Sequence, residues 1–284
     1  MNIVLGFVLI NFNSSQYTRN AIVSINNIEE INNFEVVVVD NSSEEKDIKE
    51  LKVLDKEYDN IHVIYSESNV GYFRGLNIGI NYLKKYDCNV YVVGNNDVIF
   101  DKNFYKQICL KNELLKKYPV ISPNIITVDG VNQNPHVISK ISKFREFIYD
   151  VYHMNYFFSK LILEVAKLTK KFSDRKDELE HDVAQEIYQG YGAMYILTPK
   201  FFENFSELYA PTFLMYEEYF LSKQLAEKGF KVFYEPSIKL THIMHATTNN
   251  LPSRLRWKLS KESHKEYRKY VKILNIKRNS KYEK

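Results

Sequence analysis

Four short runs rich in β-branched residues, Ile3–Ile10, Glu35–Asp40, Ile61–Tyr65 and Val90–Gly94, recur in the first hundred positions. About one helix's length of chain separates each from the next. The runs are apolar almost throughout instead of alternating, as strands are when helices cover both faces of a sheet. Such spacing suits right-handed β-α-β crossovers and parallel pairing, so the expected fold is an α/β sandwich.

In open α/β sheets ligands collect at the carboxyl ends of the strands. The residues that follow the four runs are polar: Asn11 and Asn13, Asp40 and Asn41, Ser66 to Gly71, and Asn95 to Asp97. One shared site explains all four groups, although each alone also reads as ordinary turn chemistry. With 27 asparagines in the chain, no single one is diagnostic.

At 284 residues, 45% of them apolar, the chain is long enough for a sizeable core and is neither disordered nor collagen-like. Cys88 and Cys109 are too few for a disulfide framework or a thiolate zinc site and suit a reducing compartment. The run Ile3–Ile10 falls far short of the roughly 20 residues that span a bilayer. It also lacks the basic leader of a signal peptide, so a cytoplasmic location is expected.

Charge is uneven. Residues 254–284 hold 12 Lys or Arg against 3 Glu, a net of +9 that leaves −5 for residues 1–253. Leu255, Trp257, Leu259, Tyr267, Tyr270, Val271, Ile273 and Leu274 interleave with these cations. The pattern suits an amphipathic helix on an anionic membrane, peripheral at the inner face of the plasma membrane. A helix packed on the domain is the equal alternative. No nucleic-acid motif accompanies the charge, and no nucleic-acid partner is expected.

Within residues 140–187, Phe144, Phe147, Ile148, Val151, Tyr152, Phe157, Phe158, Leu161 and Ile162 recur at helical spacing before a charged stretch from Lys167 to Glu186. A helical lid or acceptor-side insertion is one reading; packing of most of these residues on the core is the favoured one.

Asn95-Asn96-Asp97 closes the fourth run, where a carboxylate can hold a hard divalent cation or merely cap a turn. Met215-Tyr216-Glu217-Glu218 leads into a helix with Phe220, Leu221 and Leu225 on one side and Gly229 as its stop. Paired acids there suit the helix dipole or general-base work. His242, after the segments Lys231–Pro236 and Ile238–His242, is a turn residue or a metal ligand.

Phe12-Asn13, Val39-Asp40-Asn41-Ser42, Asn69-Val70-Gly71-Tyr72 with Gly75 and Asn77, Asn95-Asn96-Asp97, Gly190 to Met194, Glu217-Glu218, and Tyr234-Glu235-Pro236 with His242 stand in that order. This ordered set, from Ile3 to about His242, resembles the inverting nucleotide-sugar glycosyltransferases of family 2. The resemblance implies a GT-A fold, a Rossmann-like α/β/α sandwich with a mixed central sheet and a helical insertion. Residues 1–120 would form the nucleotide-sugar half, 121–250 the acceptor and catalytic half with the insertion at 140–187, and 251–284 the basic tail.

The resemblance also implies roles. Asp40 would contact the nucleotide base, with Asn11 and Asn13 lining the same pocket. Asn41, Asn69, Gly71, Asn77 and Asn96 would belong to the nucleotide-sugar site, and Arg74 would add a phosphate contact. Asn95 and Asp97 match the ends of the DxD motif, so Asp97, Asn95 and His242 would surround a divalent cation, Mg²⁺ or Mn²⁺. Glu218 would be the general base, with Glu217 able to exchange roles with it. Asn95 in place of the first Asp looks like the rhamnosyltransferase-type branch, and Phe73 with Arg74 stands where relatives carry small residues. The implied reaction moves a hexosyl or deoxyhexosyl group from a nucleotide diphosphate-sugar to a glycan or lipid-linked acceptor, in bacterial surface polysaccharide synthesis.

Two other classes compete. A nucleotidyltransferase would show a Gly-rich basic loop near the amino end, and none stands between Gly6 and Arg19. A non-catalytic glycan- or membrane-binding protein would have no need of Glu217, Glu218 and Asp97.

Overall fold

The computed structural model describes residues 2–173, 176–243 and 253–272. The elements run β1 (Leu5–Asn11), α1 (Ser15–Asn26), β2 (Phe34–Asp40), α2 (Glu45–Glu57), β3 (Ile61–Tyr65), α3 (Tyr72–Leu83), β4 (Val90–Asn95) and β5 (Val98–Phe100). There follow α4 (Phe104–Leu110), α5 (Asn112–Lys117), β6 (Val120–Thr127), α6 (Lys143–Met154), α7 (Tyr156–Ser173), β7 (Gln185–Ile187) and β8 (Met194–Leu197). Next come α8 (Pro199–Asn204), α9 (Glu217–Ala226), β9 (Val232–His242) and α10 (Ser253–Tyr267).

All nine strands form one mixed sheet, ordered β3-β2-β1-β4-β8-β6-β9-β5 with β7 also on β9. The four amino-terminal runs are β1 to β4, and they pair in parallel. Strand β8 then runs antiparallel to β4 and β6, which joins the two halves of the chain in one sheet. The long β9 pairs with β7 along its start and with β5 along its end, so His242 comes opposite Val98.

The continuous apolar runs divide by alternation. In β1 and β2, Phe7, Leu9, Val36 and Val38 enter one core, while Val8, Val37 and Val39 enter the core on the other face. Helix α1 covers the first face, with Ala21, Ile22 and Ile25 buried. Helices α3 and α9 cover the second through Phe73, Leu76, Ile80, Leu221 and Leu225. Phe73 is therefore a core residue.

Residues 140–187 correct an expectation. Helix α6 does form, capped by Ser142, whose hydroxyl accepts from the Arg145 N–H. Its apolar stripe is not packed on the core, however: Phe144 is 72% and Phe147 55% exposed, and on α7 Phe157 is 72% exposed. The buried face of α6 is polar instead. Glu146 and His153 are buried against α10, and Arg268, just after that helix, bonds Glu146 and Asp150.

The basic tail is likewise a packing element over its described part. Tyr267 and His264 of α10 are buried, and Trp257 donates its indole N–H to the Tyr152 carbonyl at 3.0 Å. Lys265 and Lys269 pair with Glu262 and Glu266 within the tail itself. Ile273, Leu274 and the rest of 273–284 lie outside the described residues. No helix among the described residues is long and apolar enough to cross a membrane.

Candidate active site

A cleft of about 660 Å³ opens at the carboxyl ends of β1, β2 and β4. Strand ends there leave main-chain groups unpaired and loops free to carry chemistry. Asn41, Asn69, Gly71, Asn95, Asn96, Asp97, Glu217, Glu218 and His242 all reach its wall. The fold thus gathers residues from opposite ends of the sequence.

The Asn69–Gly71 turn is built by side chains. Asn69 accepts the Gly71 N–H at 3.0 Å, while Asn41 accepts from the Val70 N–H and donates to the Gly71 carbonyl. Gly71 has φ +91°, and a Cβ there would meet the Phe213 carbonyl oxygen at 2.1 Å. Only glycine allows this backbone and this close approach.

Asp97 is 4% and His242 5% exposed. His242 Nε2 lies 3.1 Å from Asp97 Oδ1, and its Nδ1 lies 2.8 Å from Gln133 Oε1. In one tautomer Nε2–H donates to Asp97; in the other Nδ1–H donates to Gln133 and the ring turns a lone pair toward the carboxylate. Two acceptors face one another unless a proton or a cation lies between them.

That arrangement fits a divalent cation held in part by the substrate. Among the described residues no group of three or more His, Cys, Asp and Glu could hold a metal. A hard cation bound through one carboxylate and a neighbouring group commonly completes its coordination with phosphate oxygens and water.

Glu217 and Glu218 open α9 and differ in environment. Glu217 is 7% exposed, and its Oε1 accepts the Met215 N–H at 2.7 Å. Burial, then the charge of Glu218, pushes its carboxyl up to about 8. Glu218 is half-buried and extends over Gly192. Burial and the same two carboxylates also raise the Tyr72 hydroxyl, which donates to the Gly192 carbonyl at 2.7 Å.

The entry to α9 is strained. Met215 and Tyr216 have φ of +73° and +69°, left-handed values that cost such residues about 1–2 kcal/mol each. Surrounding bonds hold them there. Thr212 donates to the Met215 carbonyl, and the Tyr216 hydroxyl meets His264 Nδ1 at 2.8 Å. His264 donates through Nε2 to Asp150 at 2.8 Å, so α6 and α10 together brace the turn that aims the acid pair.

Other expected residues do not reach the cleft wall. Asn11, 0% exposed, donates toward Asp40, Ser43 and Asp47 and accepts from Thr18 and Asn96. Asp40 accepts from Asn11 and Ser43, and Asn13 accepts the Glu44 N–H. These three tie the loops after β1 and β2 together. Asn77 clasps the Leu208 backbone through both ends of its amide, and exposed Arg74 donates to the Ala210 carbonyl. Asn96 touches the cleft, but its amide points inward to Ser14 and Thr18.

Some wall residues were not anticipated from sequence. Tyr72, Tyr191 and Gly192 lay within quoted motifs but had no assigned role. The loop Phe213–Tyr216 and the α10 residues Leu255 and Leu259 complete the wall. Nothing local marks these last two, since only packing of α10 brings them there.

An open sheet with a parallel half, an antiparallel return and its cleft at the parallel strand ends is the architecture of GT-A glycosyltransferases. The S. aureus protein TarS superposes with a TM-score of 0.53 at 12% identity, over 85% of this chain and 37% of TarS. TarS 1–349, determined in complex with UDP-GlcNAc, gives 0.54 at 13% identity, over 86% and 60%. The chain belongs to glycosyl transferase family 2, whose model matches residues 7–164. A relative in Haloferax volcanii, the low-salt glycan biosynthesis hexosyltransferase Agl10, is 31% identical over 134 residues, 46% of this chain and 40% of that protein. The chain spans less than half the length of that relative.

Proposed function

We propose that this chain transfers a hexosyl or deoxyhexosyl group from a nucleoside-diphosphate sugar to a hydroxyl of a growing glycan, with inversion at the anomeric carbon. One observation carries the reading: the acid pair Glu217–Glu218 and the pair Asp97–His242 meet in a single cleft. A relative named for glycan biosynthesis and a neighbour in complex with UDP-GlcNAc support it, and bacterial surface polysaccharide synthesis is the setting we assign.

In this reading the acceptor oxygen attacks the anomeric carbon from the face opposite the diphosphate. The bond to the diphosphate oxygen breaks, and Glu218 takes the hydroxyl proton. Glu217, raised to about 8, is protonated near neutrality, so Glu218 is the carboxylate available for proton transfer. Positioned base catalysis of this kind contributes roughly 10²–10⁴-fold. Asn69 and Asn95 offer amides to the donor, and Tyr72 positions Gly192 beside the base. A divalent cation, Mg²⁺ or Mn²⁺, would be held by Asp97 and His242 beside Asn95 and would offset the charge on the leaving diphosphate.

A panel of nucleotide sugars, incubated with the chain in Mg²⁺, Mn²⁺ or EDTA and assayed for donor hydrolysis, tests the reading. Release of one nucleoside diphosphate that Glu218→Gln abolishes supports it. No hydrolysis of any donor and no binding of any nucleoside diphosphate overturn it.

A further inference from the structure

Helix α6 is inside out for a helix surrounded by water. Its polar residues Glu146 and His153 are 5% and 6% exposed, whereas Phe144, Phe147 and Met154 are 72%, 55% and 61% exposed. The orientation is fixed. Arg268 bonds Glu146 at 2.8 Å and Asp150 at 2.5 Å, and Tyr267 bonds Glu146, so rotating the helix would strand buried charges.

Helix α7 also exposes apolar side chains. Phe157, Leu161 and Leu168 are 72%, 52% and 88% exposed, and their spacing places them on one face. Patches of this kind on a folded chain mark contact with an apolar medium or partner. We propose that the exposed apolar side chains of α6 and α7 dock on the anionic surface of a lipid bilayer.

Charge selects this occupant. On α6, Glu146 is buried on Arg268 and half-exposed Asp150 is paired with it; on α7, Glu164 is paired with Lys167, and exposed Lys140, Lys143 and Lys160 leave the two helices with an excess of cations. Apolar rings ringed by lysine are what an anionic interface accommodates. A second copy of the chain, in which only groups near a two-fold axis would face their own kind, is the alternative that the test below separates.

The location gives the docking a purpose. Helix α10, which backs α6, also carries Leu255 and Leu259 on the cleft wall, and Leu255 is 43% exposed. Docking by these helices would leave the cleft one helix away from the bilayer, within reach of a lipid-linked acceptor. This last step rests on the proposed transferase reading; the docking does not.

The test is co-sedimentation of the full chain with vesicles of phosphatidylcholine alone or mixed with phosphatidylglycerol, with neither donor nor acceptor present. Its outcome is therefore independent of the transferase reading. Wild type should bind the mixed vesicles, and less at high salt because exposed charges are screened. The triple variant Phe144→Ser, Phe147→Ser, Phe157→Ser should partition roughly tenfold more weakly or worse. An unchanged melting temperature and Trp257 emission spectrum would show that it folds. The charge reversals Lys265→Glu and Lys269→Glu, on the tail, should bind like wild type. The proposal is overturned by a wild type that ignores anionic vesicles, by a folded triple variant that binds as tightly, or by binding lost only on tail reversal. A wild-type dimer that the triple variant splits, with no vesicle binding, would also overturn it and assign the face to a second copy.

Discussion

A Cβ on Gly192 would lie 2.6 Å from Glu218 Oε1, so the carboxylate occupies the room that a side chain at position 192 would need. The blocking atom is the end of a flexible chain, and the fold can absorb the change by turning the carboxylate aside. Gly192→Ala should therefore fold with a melting temperature close to wild type yet lose about 10²-fold or more in turnover. Calorimetric affinity for the donor nucleotide should change little. A variant with wild-type turnover would show that the placement of Glu218 is immaterial.

Asp97 and His242 face each other at 3.1 Å with a common cleft before them. Nucleoside diphosphate binding should require Mg²⁺ or Mn²⁺ and should weaken by about tenfold or more in Asp97→Ala, since a carboxylate is lost from a site that offsets phosphate charge. Asn95→Ala removes no charge and should weaken binding less. Equal affinity in EDTA and in Mn²⁺, measured by titration calorimetry, would contradict metal-assisted binding.

Glu217 gives stability a pH dependence whose sign is fixed. Its carboxyl is raised from 4.5 to about 8 by burial and by the charge of Glu218, so the folded chain retains a proton that the unfolded chain releases. This contribution to stability is full below about 4.5, declines as pH rises toward 8, and is gone above it. The amide in Glu217→Gln mimics the neutral acid. Its stability relative to wild type should grow by about 1–3 kcal/mol between pH 5 and pH 8.5 in chemical denaturation. A constant difference across that range would contradict the assignment.

His153 and His264 stack at 4.0 Å between α6 and α10. Burial, then the charge of His264, lowers His153 to about 4, and burial lowers His264 as well. The folded chain keeps these rings neutral where the unfolded chain protonates them. Stability is therefore lost as pH falls from about 6.5 toward 4. Trp257, the single tryptophan, reports on the same interface through its bond to Tyr152. Its emission should shift to the red over that range, and His153→Gln should move the transition to lower pH. An emission maximum constant from pH 7 to pH 4 would contradict this.

Much of the fold is legible in the sequence because parallel strands covered on both faces leave continuous apolar runs, and β1 to β4 fall on all four of them. The cleft was legible where chemistry is tied to strand ends and helix starts, as at Asp97, Glu217 and Glu218. The rest depends on partners that sequence does not reveal. Asn11 and Asn69 are the same residue type at comparable positions, yet Asn11 is saturated by Asp40, Asp47 and Thr18 while Asn69 faces the cleft. Phe144 and Phe147 read as core because periodicity shows that a face is apolar, not which way it points. Their orientation is decided by Arg268 and His264, more than a hundred residues away.

The central claim is that Glu218 takes the proton while Asp97 and His242 attend the diphosphate. It is tested most directly by single-turnover transfer and donor affinity measured together on Glu218→Gln and Glu217→Gln. The account predicts that Glu218→Gln loses about 10²–10⁴-fold in the transfer rate, with donor affinity nearly unchanged, and that Glu217→Gln loses far less. Loss of turnover in Glu217→Gln with Glu218→Gln still active would contradict it.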